Sequence, residues 1–298
     1  MKKLRTFVQE AYFIVTGIII LNFNNSSQTL NCLESLYAHC KGGNFRICVV
    51  DNASGAEQLG VLEEGLKAFS GQVAPPHLIV AEHNDGYASG NDIGCRYFGA
   101  MDEVDNILIL NDDTLFTMDI ISPMEEYLAS HPECGVVFPM VKAPDGSIDR
   151  ACARRQKSAR DLVLQATSLG RFGIGRKEFL PTEGLENLDE LRTEVPPGSC
   201  MMLPKDVFQR IGWLDPNTFL YFEEHILAEK LRKEGRTCVL LPQIQITHLG
   251  AGTTRKQPSK AIYRHWRNSY IYFLKTYSGM PSPLVWCLQF RTWLKSVI

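Results

Sequence analysis

Asp112 and Asp113 stand side by side at the end of an apolar run, residues 107–110, with Asn111 between run and acids. Neighbouring carboxylates repel one another unless a cation or a proton lies between them. The pair is therefore either a solvated turn, for which Asp and Asn are ordinary residues, or a seat for something positive. A second acidic pair, Glu223-Glu224, follows the aromatic run "FLYF". Acids in the first turn of a helix complement its dipole. Aromatic surroundings also tune a carboxylate as a proton acceptor. His248 closes "QIQITH". It is either structural or, if it shares a rim with the Asp pair, part of an imidazole–carboxylate set suited to manganese-like ions. Asp51-Asn52 ends "FRICVVDN", where it can cap a helix or accept a hydrogen bond from the imide N–H of a nucleobase.

The stretch "HNDGYASGNDIG" supplies Asn84, Gly86, Tyr87, Gly90, Asn91 and Gly94. Gly86 permits a tight turn, and the later glycines let a helix start approach its neighbour closely. Such a helix N-terminus is a natural seat for phosphate. The spacing differs from the dinucleotide fingerprint, which would also follow the first strand.

These residues need a scaffold, and the first half supplies alternating strand and helix signals. Residues 14–23 form an apolar run followed by a helix that Ser27 can cap, with Leu30, Leu33 and Tyr37 on one face. "FRICVVDNAS" is a second strand, followed by a helix reaching Phe69. "HLIVAEHN" is a third strand ending on Asn84, then a helix runs to about Met101, and residues 107–110 are the fourth strand. Such alternation implies parallel βαβ units. Each strand ends on polar residues: Asn22 and Asn24, Asp51 and Asn52, Asn84 and Asp85, Asp112 and Asp113. Parallel strands bring all four clusters to one rim, and that rim is where open α/β sheets bind ligands.

The second half is less regular. Residues 142–195 read as a partly helical, mobile excursion containing "LGRFGIGRKEF". "VPPGSCMMLP" is a turn into a strand, and "FLYFEEHILAEKLRKEG" is a helix stopped by Gly235. "RTCVLLP" and "QIQITHLG" are further strands, and the tail from Lys260 is helical.

The chain has 298 residues, 45% of them hydrophobic, enough for a large core. A formal charge of −2 gives no reason to expect nucleic acid as a partner. Nine scattered cysteines without a C-x-x-C pair suit reduced, buried thiols and a cytoplasmic setting. "MKKLR" followed by "AYFIVTGIIIL" imitates a signal peptide, but no small-residue cleavage site follows and the apolar part is too short to span a bilayer. Residues 1–13 are therefore read as a basic extension. At the other end, "PLVWCLQFRTWLKSVI" mixes Trp, Leu and Phe with Arg and Lys, as an interfacial helix does. That pattern fits either peripheral contact with the inner face of a membrane or packing onto the core.

Taken in order, "IIILNFNN", "VVDNAS", "NDGYASGNDIG", "ILNDDTLF", "PPGSCMMLPKDVFQRIGWLDPNTFLYFEE", "LRKEG" and "THLGAG" resemble the inverting glycosyltransferases of family 2, in particular the rhamnosyltransferase-like group of bacterial polysaccharide synthesis. The resemblance runs from about Ile14 to Tyr277. It implies an α/β fold of the GT-A type: a nucleotide-sugar half over 14–141 continuous with an acceptor half over 142–260, before a helical tail over 261–298. By the same resemblance Asn111-Asp112-Asp113 is the metal motif, with Asp113 contacting Mg²⁺ or Mn²⁺ on the diphosphate. Asp51 falls on the base-reading aspartate, and Glu223-Glu224 on the catalytic acids. His225 stands where many relatives carry another acid. The family's second acid is the proton acceptor, which points to Glu224, with Glu223 orienting the acceptor or the helix start. Implied partners are a dTDP- or UDP-linked sugar donor, with rhamnose as one candidate sugar, and a saccharide or lipid-linked saccharide acceptor.

Rival readings fit less well. A haloacid-dehalogenase-type phosphatase needs D-x-D-x-[TV], whereas Asp112 and Asp113 are adjacent. A sugar nucleotidyltransferase wants a Gly-rich, basic loop after the first strand, and "NFNNSSQTL" has neither. A non-catalytic nucleotide-sugar-binding protein would not need the Glu pair.

Overall fold

The computed structural model describes residues 14–42, 44–166, 178–250 and 259–297. The basic extension and most of "LGRFGIGRKEF" lie outside the described residues.

The first four strands are β1 (Val15–Asn22), β2 (Asn44–Asp51), β3 (His77–Val80) and β4 (Asn106–Asn111). Between them lie α1 (Ser26–His39), α2 (Ala56–Leu66) and α3 (Tyr87–Gly99). β1 pairs in parallel with β2 and β4, and β2 with β3. Register sets Asn22 beside Asp51 and Asn111 beside Leu21, so the polar strand ends do share one rim. Burial explains the long apolar runs: Ile18, Ile19, Ile20 and the whole of residues 107–110 are fully enclosed, with sheet faces covered on both sides.

Beyond β4 the chain adds β5 (Thr114–Phe116), α4 (Ile121–Ser130) and β6 (Cys134–Lys142), then α5 (Ala159–Ala166), β7 (Leu191–Thr193) and β8 (Cys200–Pro204). α6 (Lys205–Arg210), α7 (Glu223–Lys233), β9 (Thr237–His248), α8 (Ser259–Thr276) and α9 (Ser282–Val297) complete it. One sheet runs through both halves in the order β3-β2-β1-β4-β8-β6-β9-β5, with β7 on β9. The pairing turns antiparallel where β8 joins β4. A second apolar cluster, including Phe222, Ile226, Tyr270, Phe273, Leu274 and Leu288, ties α7 to the two C-terminal helices.

Several local expectations are corrected. Ser27 does not cap α1: Asn25 holds the cap position and Ser27 is exposed inside the helix. β3 stops at Val80, and Asn84 is reached by a loop. The segments "RTCVLLP" and "QIQITH" form the single strand β9, whose register against β6 jumps from Pro139↔Leu241 to Met140↔Gln245. Pro242 lies in that jump, and a residue without an N–H cannot continue the ladder. Helix α7 begins only at Glu223, because Tyr221 and Phe222 adopt positive φ of 71° and 70°. All nine cysteines are free, and all but Cys287 are buried.

Candidate active site

The rim encloses a cleft of about 210 Å³ lined by Asn52, Asn84, Gly86, Tyr87, Asn111, Asp112, Asp113 and His248. Its remaining wall comes from Leu21, Phe23, Phe219, Leu220 and Gly250. Eight of the residues singled out from sequence thus meet in one place, contributed by four separate segments.

A hydrogen-bonded lattice holds the rim. Asn52 donates to Asn84 Oδ1 at 3.0 Å and to the Gly86 carbonyl at 3.2 Å, while Gly86 N–H donates to Asn84 Oδ1 at 3.0 Å. Gly86 has φ +97°, and a Cβ there would lie 2.1 Å from the Phe219 carbonyl oxygen. Glycine is needed because the segment carrying the aromatic run leans on this turn. Tyr87 N–H donates to that same Phe219 carbonyl at 2.9 Å. The first N–H of α3 is therefore already engaged within the protein.

Other sequence candidates support the cleft from behind. Asp51 is fully buried; its Oδ1 accepts from Asn22 Nδ2 at 2.6 Å and its Oδ2 from Ser54 N–H at 2.9 Å. Asn22 in turn accepts from Thr29 Oγ1 at 2.8 Å. Asn24, at φ 51°, accepts from Gly55 N–H at 2.8 Å. Gly90 is packed so closely that a Cβ would lie 2.5 Å from Leu21 Cδ1. Asn91 is fully buried and donates to the Tyr87 carbonyl at 3.0 Å. None of Asn22, Asn24, Asp51, Gly90 and Asn91 lines the cleft, and Asn52 occupies the wall where Asp51 was expected.

At the β4 end, His248 Nε2 lies 3.0 Å from Asp113 Oδ1 and 3.3 Å from Asn111 Nδ2. The meeting follows from topology, since β5 pairs Thr114 with His248. Burial pushes the His248 imidazole down, but the Asp113 carboxylate more than offsets this and holds it above its ordinary value. Burial first, and the Asp113 charge second, push Asp112 up to about 7. Two crowded carboxylates, of which Asp113 is buried, are the arrangement that a divalent cation relieves. Among the described residues no group of three or more His, Cys, Asp and Glu side chains is placed to hold a metal ion by itself. Hard oxygen donors in small number suit Mg²⁺ or Mn²⁺, which complete their shells with phosphate oxygens and water. The donor set therefore fits the ion that the sequence resemblance implies.

The Glu pair does not face this cleft. Glu224 lines a neighbouring cavity of about 320 Å³, with Arg154, Glu178, Tyr221 and His225 among its walls. The two spaces share a partition: Phe219 and Leu220 face the cleft, Tyr221 and Phe222 the cavity. Tyr87 Oη donates to the Gly198 carbonyl at 2.5 Å, and a Cβ on Gly198 would lie 2.8 Å from Glu224 Oε1. The acid thus sits just behind the cleft wall. Glu224 Oε1 lies 3.6 Å from Arg154 Nη2, and its side chain is 20% exposed. Glu223 is buried, its Oε2 without a partner among the described residues. Burial, then the adjacent Glu224, push its carboxyl up to about 8. His225 is clamped by Gln156, whose Nε2 donates to the His225 carbonyl at 2.9 Å while its Oε1 meets Nδ1 at 2.6 Å. Since the carbonyl only accepts, the amide orientation is fixed, and Nδ1 must carry a proton. Arg154, Gln156 and Glu178 had no sequence signal: they lie in the irregular excursion and reach the Glu pair only through tertiary folding.

A parallel sheet continuous with a mixed half that begins at the antiparallel β4–β8 pair, with acids at the junction, defines a GT-A fold. The family model for glycosyl transferase family 2 matches residues 17–212, and the chain belongs to that family. It is 27% identical over 195 residues to an N-acetylglucosaminyl-diphospho-decaprenol L-rhamnosyltransferase of Mycobacterium tuberculosis (strain CDC 1551 / Oshkosh), covering 64% of this chain and 62% of that protein. The chain thus spans about three fifths of that relative's length. It is 24% identical over 279 residues to the low-salt glycan biosynthesis hexosyltransferase Agl10 of Haloferax volcanii, covering 89% of this chain and 77% of the relative. Among solved structures, GalNAc-T7 with UDP, GalNAc and Mn²⁺ superposes with a TM-score of 0.64 at 12% identity, over 94% of this chain and 54% of the other.

Proposed function

We propose that this protein is an inverting glycosyltransferase that moves a sugar, with rhamnose the first candidate, from a dTDP- or UDP-linked donor to a saccharide or lipid-linked saccharide in cell-surface polysaccharide synthesis. The observation that carries this reading is the adjacency of two spaces. One is a polar strand-end cleft with a cation-seeking Asp pair, and the other is a cavity holding Glu224 behind a shared wall.

Asp113, with Asp112 and His248 beside it, would hold Mg²⁺ or Mn²⁺; when bound, the ion offsets the negative charge that grows on the departing diphosphate. Asn52, Asn84 and Tyr87 would line the donor's nucleotide. An acceptor hydroxyl attacks the anomeric carbon from the face opposite the diphosphate. The new C–O bond forms as the old one breaks, its electron pair leaves with the diphosphate, and the hydroxyl proton passes to Glu224. One base suffices, unlike the two opposed carboxyls of an inverting hydrolase. Glu223, buried beneath, positions the helix start.

The tail supports a peripheral location at a membrane. No described helix is long and apolar enough to cross a membrane. Helix α9 buries Val285 and Leu288 but leaves Trp286 and Phe290 73% and 61% exposed, beside Arg267 and Lys275. Such an aromatic and basic face suits peripheral contact with the anionic inner surface of a membrane.

The test is direct. Purified protein with Mn²⁺ and dTDP-rhamnose or UDP-sugars should release nucleoside diphosphate and glycosylate a saccharide acceptor with inverted anomeric configuration. Release of pyrophosphate instead would identify a nucleotidyltransferase, and donor binding without turnover a binding protein.

A further inference from the structure

We infer that Arg154 is the positioning residue of the acidic pair: its guanidinium orients Glu224 within the cavity and makes Glu224 the member that carries the pair's negative charge. The inference rests on the transferase reading, in which Glu224 takes the acceptor's proton. Arg154 comes from the irregular excursion, but its place is fixed from both sides. Its backbone bridges Phe179 and Val195. Its carbonyl accepts from Glu194 N–H at 2.9 Å, and its Nη2 donates to the Pro196 carbonyl.

The segment that holds Arg154 also seats Glu224. Pro196 takes the guanidinium, and two residues on, Gly198 lies against the carboxylate, where a Cβ would come within 2.8 Å of Glu224 Oε1. Arg154 Nη2 stands 3.6 Å from that same oxygen. At this distance the charges attract without forming a hydrogen bond. A short two-point bridge would pin the carboxylate and hold its proton affinity too low for a base. The observed spacing fixes where the charge sits and leaves the oxygen's lone pairs to an acceptor hydroxyl. Arg154 itself is 9% exposed, and a cation so enclosed is costly without an anion beside it.

Neighbouring helix residues point about 100° apart, so one guanidinium cannot face both acids. Glu223 is 4% exposed, and its Oε2 has no partner among the described residues. Two carboxyls this close do not both ionise readily. Burial first and Glu224 second raise the Glu223 carboxyl, and Arg154 offsets that rise more weakly than either. The enclosed member therefore keeps the proton, and the member facing Arg154 keeps the charge.

Among the described residues no other group facing the pair competes for this role. Tyr87 from α3 and Tyr221 lie within electrostatic reach of both acids, but burial first raises their phenols, which stay neutral. Lys157 is engaged by Glu178 at 2.6 Å. His225 has Nδ1 on Gln156 Oε1 at 2.6 Å and Nε2 3.4 Å from Glu178, and burial holds its imidazole below the ordinary value. Arg291 and Tyr270 line the cavity from α9 and α8, outside ion-pair and hydrogen-bond distance of Glu224.

The experiment is the pH profile of kcat/KM for the full chain, Arg154→Gln and Arg154→Lys, with Mn²⁺, dTDP-rhamnose or a UDP-sugar, and a saccharide acceptor. Removing a positive charge raises a neighbouring carboxyl's affinity for its proton, so the acid limb of the profile moves to higher pH. In Arg154→Gln it should rise by about one pH unit or more, a loss of about 10-fold on the acid side that disappears at higher pH. Arg154→Lys should return the limb most of the way. Thermal melts, and titration with nucleoside diphosphate and Mn²⁺, show that each variant is folded and binds nucleotide. An unmoved limb in folded Arg154→Gln, or a loss equal at every pH, overturns the inference and leaves the transferase reading intact. A second measurement needs no active variant: carbon-13 titration of the Glu carboxyls in the full chain, with signals assigned from Glu223→Gln and Glu224→Gln. Glu224 should ionise before Glu223, and the reverse order overturns the inference even if Arg154→Gln does not fold. No transfer by the wild type at any pH would instead overturn the transferase reading, and the carboxyl titration still decides which acid carries the charge.

Discussion

The cleft and the cavity lie on either side of one short segment, residues 219–222, yet they are built on opposite plans. The cleft is made of strand ends and backbone. Its amide side chains are tied into turns, as Asn52 is to Asn84 and Gly86, and its supporting carboxylate, Asp51, is wholly enclosed. The cavity combines helix residues from α5, α7, α8 and α9 with the loop residues Arg154, Lys157, Glu178, Tyr221 and Phe222, so it is walled by long charged side chains and rings. A rim of locked amides suits a ligand whose shape does not vary, such as a nucleotide. A wall of Arg, Lys, Tyr and Trp tolerates variation, so under the proposed function donor and acceptor recognition would diverge independently across the shared partition.

The sharpest way to break this division of labour is at the Glu pair. Glu224→Gln should lower transfer by about 10²–10⁴-fold, the usual loss of a general base, while nucleotide and Mn²⁺ binding stay normal. Steady-state transfer rates and titration on the same preparation check it. A dead Glu223→Gln beside a near-normal Glu224→Gln reverses the assignment, and two active variants reduce the pair to a helix cap.

Next in size is the cleft itself. Asp113→Asn keeps volume but removes the charge that His248 and the ion share. Mn²⁺-dependent affinity for nucleoside diphosphate should fall by about 10-fold or more, with little change in metal-free binding. Unchanged Mn²⁺-dependent titration would remove the Asp pair from the donor site.

A smaller effect lies in stability. Glu223 is buried against Glu224 with its carboxyl raised, Arg154 opposing the shift and Tyr87 close by. A folded value raised above the unfolded one means the native state binds the proton more tightly. Its contribution is fully present at pH below the ordinary Glu range and is lost as pH rises to about 8. Urea midpoints of the wild type should therefore fall between pH 5 and pH 8 more steeply than those of Glu223→Gln. Parallel slopes for the two would show that Glu223 titrates normally.

The smallest expected effect concerns the exposed face of α9. Replacing Trp286, Phe290 and Trp293 with Ser should reduce flotation with anionic liposomes without lowering the melting temperature, because these rings are largely outside the second core. Deleting the helix would be less informative, since Val285 and Leu288 belong to that core. Absence of flotation by the intact protein would assign α9 to packing alone.

Sequence alone determined the parallel half and the polar strand-end rim. Period, apolar runs and polar strand ends are local properties, and parallel pairing leaves one geometry for them: Asn22 must end beside Asp51, and Asp113 must emerge at the same edge. It also marked Glu223-Glu224, because two acids after four apolar or aromatic residues are conspicuous in the chain itself. What it could not assign is which of these residues face ligand. Asp51, Asn22 and Asn91 carry the right groups but turn inward, a choice made by Thr29, Ser54 and Tyr87 as hydrogen-bond partners. Nor could it supply the cavity. Arg154, Gln156 and Glu178 meet Glu224 and His225 across long sequence separations, and Arg291 arrives from the far end of the chain. Bridges from Arg154 to Phe179 and Val195 place the excursion, and the packing of α7 against the C-terminal helices completes the cavity; such neighbours are made by tertiary pairing and buried apolar area, which no local periodicity encodes.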